Sequence, residues 1–258
     1  FFRVLFRPMF ICPRSRFALR GSALNQKTGM NSFDGYVYLN LDEQPVRRQS
    51  IEGLLDFIGV PVDKRVRLGG TKHPLNGHLG CVRNHIKALQ TAQASGWNTV
   101  VVMEDDFTLK PGITQPALDQ VISQAMAHLG DDWDVIMLGY ANETLGNVEK
   151  PGVLQRIVRA TGPSCYIVNR RFFAPLLEVM QRAEQGLVQD TERFGHVYCT
   201  YNAFDITWFE LQKASRWFAI SPHVGAQSPQ LGSSILTDPN WAHHPSCKGW
   251  GVGVNTGP

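Results

Sequence analysis

The chain has 258 residues, 43% of them hydrophobic and 18% charged, with a formal net charge of +3. That apolar content supports a buried core and excludes a disordered chain, a collagen-like repeat and a disulfide-stapled miniprotein. No stretch approaches the roughly 18 consecutive apolar residues of a membrane-spanning helix, so no transmembrane segment is expected. The positive charge is unevenly placed. Residues 1–33 hold Arg3, Arg7, Arg14, Arg16, Arg20 and Lys27 and no acid, so the other nineteen bases face 22 acids and residues 34–258 carry −3. Such a domain lacks the basic excess that nucleic-acid binding requires, and no nucleic-acid partner is expected. Five cysteines, Cys12, Cys81, Cys165, Cys199 and Cys247, are widely spaced with no C-x-x-C pair. Free thiols in a reducing, cytoplasmic setting are the expectation, with peripheral membrane association left open.

Phe1–Gly29 has the composition of an organelle transit peptide, and equally of translated sequence upstream of a start at Met30, so residues 1–33 are expected to lie outside the folded domain. They are set aside as non-structural. From residue 34 the chain alternates short β-rich runs with helical patterns. Tyr36–Leu41 reads as a strand stopping at Asp42 and Pro45. Val46–Ile58 reads as a helix, with Ile51, Leu54, Leu55 and Ile58 in phase. Gly80–Ser95 repeats the pattern with Val82, Ile86, Leu89 and Ala92, and Gly96 ends it. Thr99–Met103 is a continuous apolar strand running into Glu104, Asp105 and Asp106. Gln115–Leu129 is helical, Trp133–Leu138 is a strand ending at Gly139, Ser164–Val168 another strand, and Arg171–Gln185 another helix. Asn142–Val153 offers only a Gly/Pro-containing segment. This alternation predicts one α/β domain over 34–236, with a mostly parallel central sheet covered by helices on both faces. Residues 237–258 read as an irregular tail.

The acidic triplet is the most informative feature. It sits where a buried strand emerges, the edge of an open α/β sheet at which ligands bind. Three adjacent carboxylates repel one another, and a hard divalent cation relieves the repulsion while recruiting phosphate oxygens; a solvated acidic turn is the plain alternative. His85 lies on the apolar face of its helix, where a hydrogen-bonded core histidine is the ordinary reading. Asn40 and Asp42 close the first strand at the same sheet edge, where turn formation alone accounts for them. Asp205 stands among the aromatics of Tyr201–Trp208, a setting suited to a sugar ring and to deprotonation of a hydroxyl, or else caps a helix. Gly77 and Gly80 suit close backbone approach, since their spacing is not that of a P-loop.

Four blocks, in order, resemble the glycosyltransferases of family 25, the bacterial lipopolysaccharide and collagen-type galactosyltransferases. They are Tyr36-Val-Tyr-Leu-Asn-Leu-Asp42 with Arg47-Arg48; Gly77-His-Leu-Gly-Cys-Val-Arg-Asn-His85; Val100-Val-Val-Met-Glu-Asp-Asp-Phe107; and Ser164-Cys-Tyr-Ile-Val-Asn169 with Asp205 and Trp208. Asn84 departs from the family's usual serine. The resemblance implies a GT-A-type fold, a UDP-sugar donor (most often UDP-galactose), Mn²⁺ or Mg²⁺, and inverting transfer of a hexose to a glycan, lipid-linked or protein-linked acceptor. By the same resemblance Glu104 and Asp106 are the metal ligands, and His223 is similar to a late histidine that joins the metal in some GT-A enzymes. Asn40, Asp42, Arg48, His85 and Asp105 are then the donor-binding residues, and Asp205 the catalytic base. A non-catalytic nucleotide-sugar-binding module and a metal phosphohydrolase remain the competing functions.

Overall fold

The computed structural model describes residues 29–70, 72–232, 235 and 243–247. In chain order the elements are β1 (Gly35–Asn40), α1 (Pro45–Phe57), β2 (Arg65–Gly69), α2 (Gly77–Ala94), β3 (Thr99–Glu104), β4 (Phe107–Leu109), α3 (Gln115–Leu129), β5 (Val135–Lys150), β6 (Leu154–Asn169), α4 (Phe173–Phe194), the short α5 (Phe204–Thr207) and α6 (Phe209–Ala214), β7 (Trp217–Ile220) and β8 (Gly225–Gln227). The strands form one sheet in the order β2-β1-β3-β6-β7-β5-β8-β4, with β5 also paired to β6. β1, β2, β3, β5, β7 and β8 run in one direction, and β6 and β4 oppose them. This is the α/β architecture expected from the alternation of elements.

Side-chain alternation along the central strands builds a core on each face. Val37, Val100 and Val102 pack with Val82 and Leu89 of α2 and with Leu176 and Met180 of α4. Tyr36, Val101 and Met103 face the opposite way, onto Ile51 and Leu55 of α1 and Leu118 and Ile122 of α3. Helices therefore cover both faces. No helix among the described residues is long and apolar enough to cross a membrane.

Four expectations need correction. The strand ending at Gly139 continues to Lys150, and with β6 it makes a long hairpin that takes in Asn142–Val153. Gly139 is present for space, because a Cβ there would lie 2.3 Å from Ser164 Oγ and 2.8 Å from the Phe107 ring. The helix drawn over Arg171–Gln185 starts at Phe173, after a 3₁₀ turn, and runs on to Phe194, where Gly195 with a φ of +68° ends it. Cys199 and Cys247 are disulfide-bonded, not free, which removes the basis for the reducing-compartment expectation; a sequence separation of 48 hides the pairing in the sequence. Cys81 and Cys165 are free thiols, and Cys12 lies outside the described residues.

The fourth correction concerns where the folded domain begins. Gly29–Ser32 forms a 3₁₀ turn that docks on α3, with Gly29 N donating to Ser123 Oγ (2.8 Å) and Met30 N to Asp119 Oδ1 (2.7 Å). Met30 and Phe33 are both 1% exposed within the α1–α3 core, so structure starts before residue 34. Residues 1–28 lie outside the described residues. Truncation of a buried phenylalanine typically costs about 3–5 kcal/mol. Phe33→Ala should lower unfolding stability by about that amount in urea titrations, and a change below about 1 kcal/mol would return residues 29–33 to the discarded segment.

Candidate active site

β1 and β3 are parallel neighbours, so their C-terminal ends deliver Asn40 and the acidic triplet to one edge of the sheet. The N-terminal turns of α2 arrive at the same edge. Asn76 caps that helix, its Oδ1 accepting from Leu79 N (3.2 Å), while its Nδ2 donates to Leu187 O and Thr191 Oγ1 of α4. A pocket opens between these elements. Among its lining residues are Asn40, Arg47, Asn84, Glu104, Asp105 and Asp106, with Lys72, Cys81 and Gln227 on its walls. Gly77 also lines it, and a Cβ there would meet Ile235 Cα at 2.9 Å, so this glycine serves close backbone approach.

Arg47 is the buried cation of the site. It projects from α1 in phase with Ile51 and Leu55 and is 6% exposed. Its Nη1 lies 3.1 Å from Asp105 Oδ1, and its Nη2 contacts Asp106 Oδ2. Arg48, the arginine expected to bind the donor, instead points outward and pairs with Glu52 at 2.8 Å. The helical phase of α1 separates the two. Asp42 likewise stands outside the pocket lining, exposed and paired with Arg67. Asn40 does enter the network: its Nδ2 donates to Asp105 Oδ2 (2.7 Å), and its Oδ1 accepts from Arg67 Nε (3.1 Å).

Glu104 presents its two oxygens to different neighbours. Oε1 faces His85 Nε2 (3.2 Å) and the Cys81 thiol (3.7 Å), and Oε2 accepts from Gln227 Nε2 (3.1 Å). The same Gln227 amide lies 3.5 Å from Asp106 Oδ2. His85 is fully buried, and its Nδ1 is 2.8 Å from Tyr166 Oη. This combines the core histidine with a contact to the acidic turn.

His223 is not brought to the acidic cluster. It stacks on Tyr140 with ring centroids 4.0 Å apart, its Nε2 is buried without a hydrogen-bond partner, and it does not line the pocket. Gln227, four residues later, takes the place expected of it. β4 pairs with β8 so that Phe107 opposes Gln227, and Ser228 N bonds Asp106 O at 2.7 Å. A pairing of two three-residue strands leaves no pattern in the sequence, so Gln227 was not legible there.

Asp205 lies at the start of α5, half-buried, with Oδ2 accepting from Gly162 N at 3.1 Å. It is not a helix cap, since Ala203 holds that position. Its aromatic neighbours Phe204 and Trp208 belong to the core, 4% and 0% exposed, and only Tyr201 of that segment is open to solvent. Those two buried rings cannot serve as a sugar platform.

The electrostatics follow from burial and crowding. Burial, followed by the charge of Glu104, pushes Asp106 up to about 7, with Arg47 opposing. Burial also raises Asp105, against the Asn40 bond and the Arg47 charge. Glu104 is lowered, because the His85 and Cys81 bonds and the Arg47 charge outweigh its burial. Burial raises Asp205, partly offset by the Gly162 N–H and His78, with Glu104 adding to the rise. Asp106 Oδ1 is buried with no hydrogen-bond partner. An orphaned carboxylate oxygen beside a second carboxylate, both all-oxygen donors, fits a hard divalent cation such as Mg²⁺ or Mn²⁺.

No family model matches the chain, and no curated protein matches it in sequence. Solved structures with partial likeness include a glycosyltransferase involved in the glycosylation of the major capsid of PBCV-1, at 9% identity over 75% of this chain and 92% of that one, with a TM-score of 0.44. A mannose-1-phosphate geranyltransferase from Thermus thermophilus shares 11% identity over 74% of each chain, with a TM-score of 0.41. An apo UDP-glucose pyrophosphorylase shares 10% identity over 72% of each chain, with a TM-score of 0.39. At TM-scores below 0.5 these likenesses assign the chain neither a fold family nor an activity.

The two adjacent arginines give a direct test of the geometry. Removing one partner of a buried ion pair typically costs about 3–5 kcal/mol, whereas an exposed i,i+4 pair is worth only about 0.3–0.5. Arg47→Met should therefore destabilise the protein by about 3–5 kcal/mol at pH 8, and Arg48→Met by under about 0.5 kcal/mol, in parallel denaturant titrations. Equal losses would show that Arg47 does not neutralise the cluster.

Proposed function

We propose that this chain is a metal-dependent glycosyltransferase of GT-A type, resembling family 25. It moves a hexose, galactose in our reading, from a UDP-sugar to a hydroxyl of a glycan or glycoconjugate acceptor. The observation that carries this reading is the convergence, in one pocket, of the Glu104–Asp106 carboxylates, the buried Arg47 and the N-terminal turns of α2. A helix N-terminus favours phosphate through its dipole, and Arg47 and Lys72 of the pocket lining add positive charge. Glu104 and Asp106 would hold the divalent cation, with Gln227 orienting both carboxylates and His85 fixing Glu104. Bound there, such a cation would supply positive charge to a departing diphosphate. Asn40 at the end of β1 and Asp105 just after β3, bonded to each other, shape the donor side of the pocket.

Transfer with inversion requires a base on the sugar face opposite the leaving group. The acceptor oxygen forms a bond to the anomeric carbon as the bond to the diphosphate breaks, and the hydroxyl proton passes to the base. We assign that role to Asp205, a carboxylate outside the cation cluster whose proton affinity is raised by burial and by Glu104. Three other acids compete for that role, and they are engaged or exposed: Asp190 accepts from Asn202 Nδ2 (2.9 Å) and from Thr200, Glu192 is exposed, and Glu210 forms an exposed ion pair with Lys213.

Donor screening by thermal shift in the presence of Mn²⁺ tests binding, because a ligand at about 100 times its Kd adds about 2.7 kcal/mol of stability. UDP-sugars should raise Tm only with the cation present. Asp106→Ala should abolish both that shift and turnover; activity above about a tenth of wild type would remove Asp106 from the cation site. Asp205→Asn should lower kcat by about 10²–10⁴ with UDP binding nearly unchanged. Weakened UDP binding would move Asp205 to the donor site, and a normal kcat would end its role as base. Donor hydrolysis as fast without an acceptor as with one would favour a phosphohydrolase.

A further inference from the structure

Glu104 turns one oxygen away from Asp106, and on that side lies a second donor set. Cys81 and His85 are four residues apart on α2, so both project from one face of the helix toward the end of β3. The ligand atoms of Cys81, His85 and Glu104 all lie within 4.8 Å of one another. His85 Nε2 is 3.2 Å from Glu104 Oε1, and Cys81 Sγ is 3.7 Å from the same oxygen. Tetrahedral zinc, with bonds of about 2.0–2.1 Å to nitrogen or oxygen and about 2.3 Å to sulfur, places its ligand atoms about 3.3–3.6 Å apart. Two of the three separations therefore already stand near the edges of that tetrahedron.

The surroundings fit as well. Histidine ligands nearly always give their second ring nitrogen to an outer partner that fixes ring orientation. His85 Nδ1 has one in Tyr166 Oη at 2.8 Å, and both side chains are fully buried. Cys81 and Glu104 also line the pocket, so a metal bound by them would be reached from it. We propose that Cys81, His85 and Glu104 form a zinc site, separate in donor chemistry from the all-oxygen pair of Glu104 and Asp106. A soft thiolate and an imidazole select zinc, where the carboxylate pair selects a hard cation. Zinc takes the thiolate, so binding releases the Cys81 proton to solvent.

The test uses the full chain, freed of metal by chelation, with the Cys199–Cys247 disulfide left intact, and it reads no turnover. Its outcome is thus independent of the transferase reading. Zn²⁺ is titrated against a chromophoric chelator, and Co²⁺ is substituted to reveal a thiolate-to-metal charge-transfer band in the near ultraviolet. The expected result is one equivalent of zinc and a clear band. Cys81→Ser should lose the band and weaken zinc binding by more than about tenfold, while Tyr166→Phe keeps the band and weakens zinc by about 10–100-fold. Asp106→Asn should leave both readouts unchanged. The absence of stoichiometric zinc binding or of the cobalt–thiolate band in the wild-type protein would overturn the proposal. So would a band that persists in Cys81→Ser, or zinc binding lost in Asp106→Asn.

Discussion

The buried contact of Arg47 with Asp105 and Asp106 is the constraint around which this site is built. A strand of fully buried residues, Val100–Met103, ends in three consecutive acids, two of them buried. Carboxylates in that position cannot all be ionised without a counter-charge, because desolvation and mutual repulsion both act against it. Arg47 supplies the charge from α1 on one side, and His85 supplies a hydrogen bond from α2 on the other. The two helices pack on opposite faces of the sheet, so the acidic turn is held from both. Phe107 locks the turn from behind, its ring lying so close to Gly139 and Gly225 that a Cβ at either would approach within 2.8 Å and 2.4 Å of it.

Much of this arrangement is legible in the sequence, for physical reasons. α3 matches its predicted span because Gln115–Leu129 has a strong apolar stripe, a Thr114 cap and a closing Gly130. The β1 and β3 runs carry the β propensity and abrupt polar ends of buried parallel strands, which put Asn40 and the acids at one edge. Arg47 is also within reach. It falls on the stripe of Ile51 and Leu55, whereas Arg48 is set to pair with Glu52 one turn on. Periodicity alone separates the two arginines once it is applied to charged residues as well as apolar ones.

Other features depend on tertiary contacts that no local pattern encodes. Gly139 reads as a strand terminator, yet it is a point of close packing within a long hairpin. Gln227 reaches the carboxylates only because β8 pairs with β4. Phe204 and Trp208 read as a sugar-binding surface, but they fill the core between α5 and the sheet. The division within Glu104, with one oxygen toward Cys81 and His85 and the other toward Gln227, is likewise visible only in three dimensions. It sets this carboxylate between the acidic turn that follows β3 and a softer donor set on α2.

The central claim is that the acidic edge of the sheet binds a diphosphate through a hard cation. Crystals soaked with MnCl₂ and UDP, with data collected at a wavelength where manganese scatters anomalously, test it most directly. The expected result is an anomalous peak in contact with the carboxylates of Glu104 and Asp106, and the UDP diphosphate between that peak and the N-terminal turns of α2. A peak beside His223, or UDP bound with no manganese in the pocket, would contradict it.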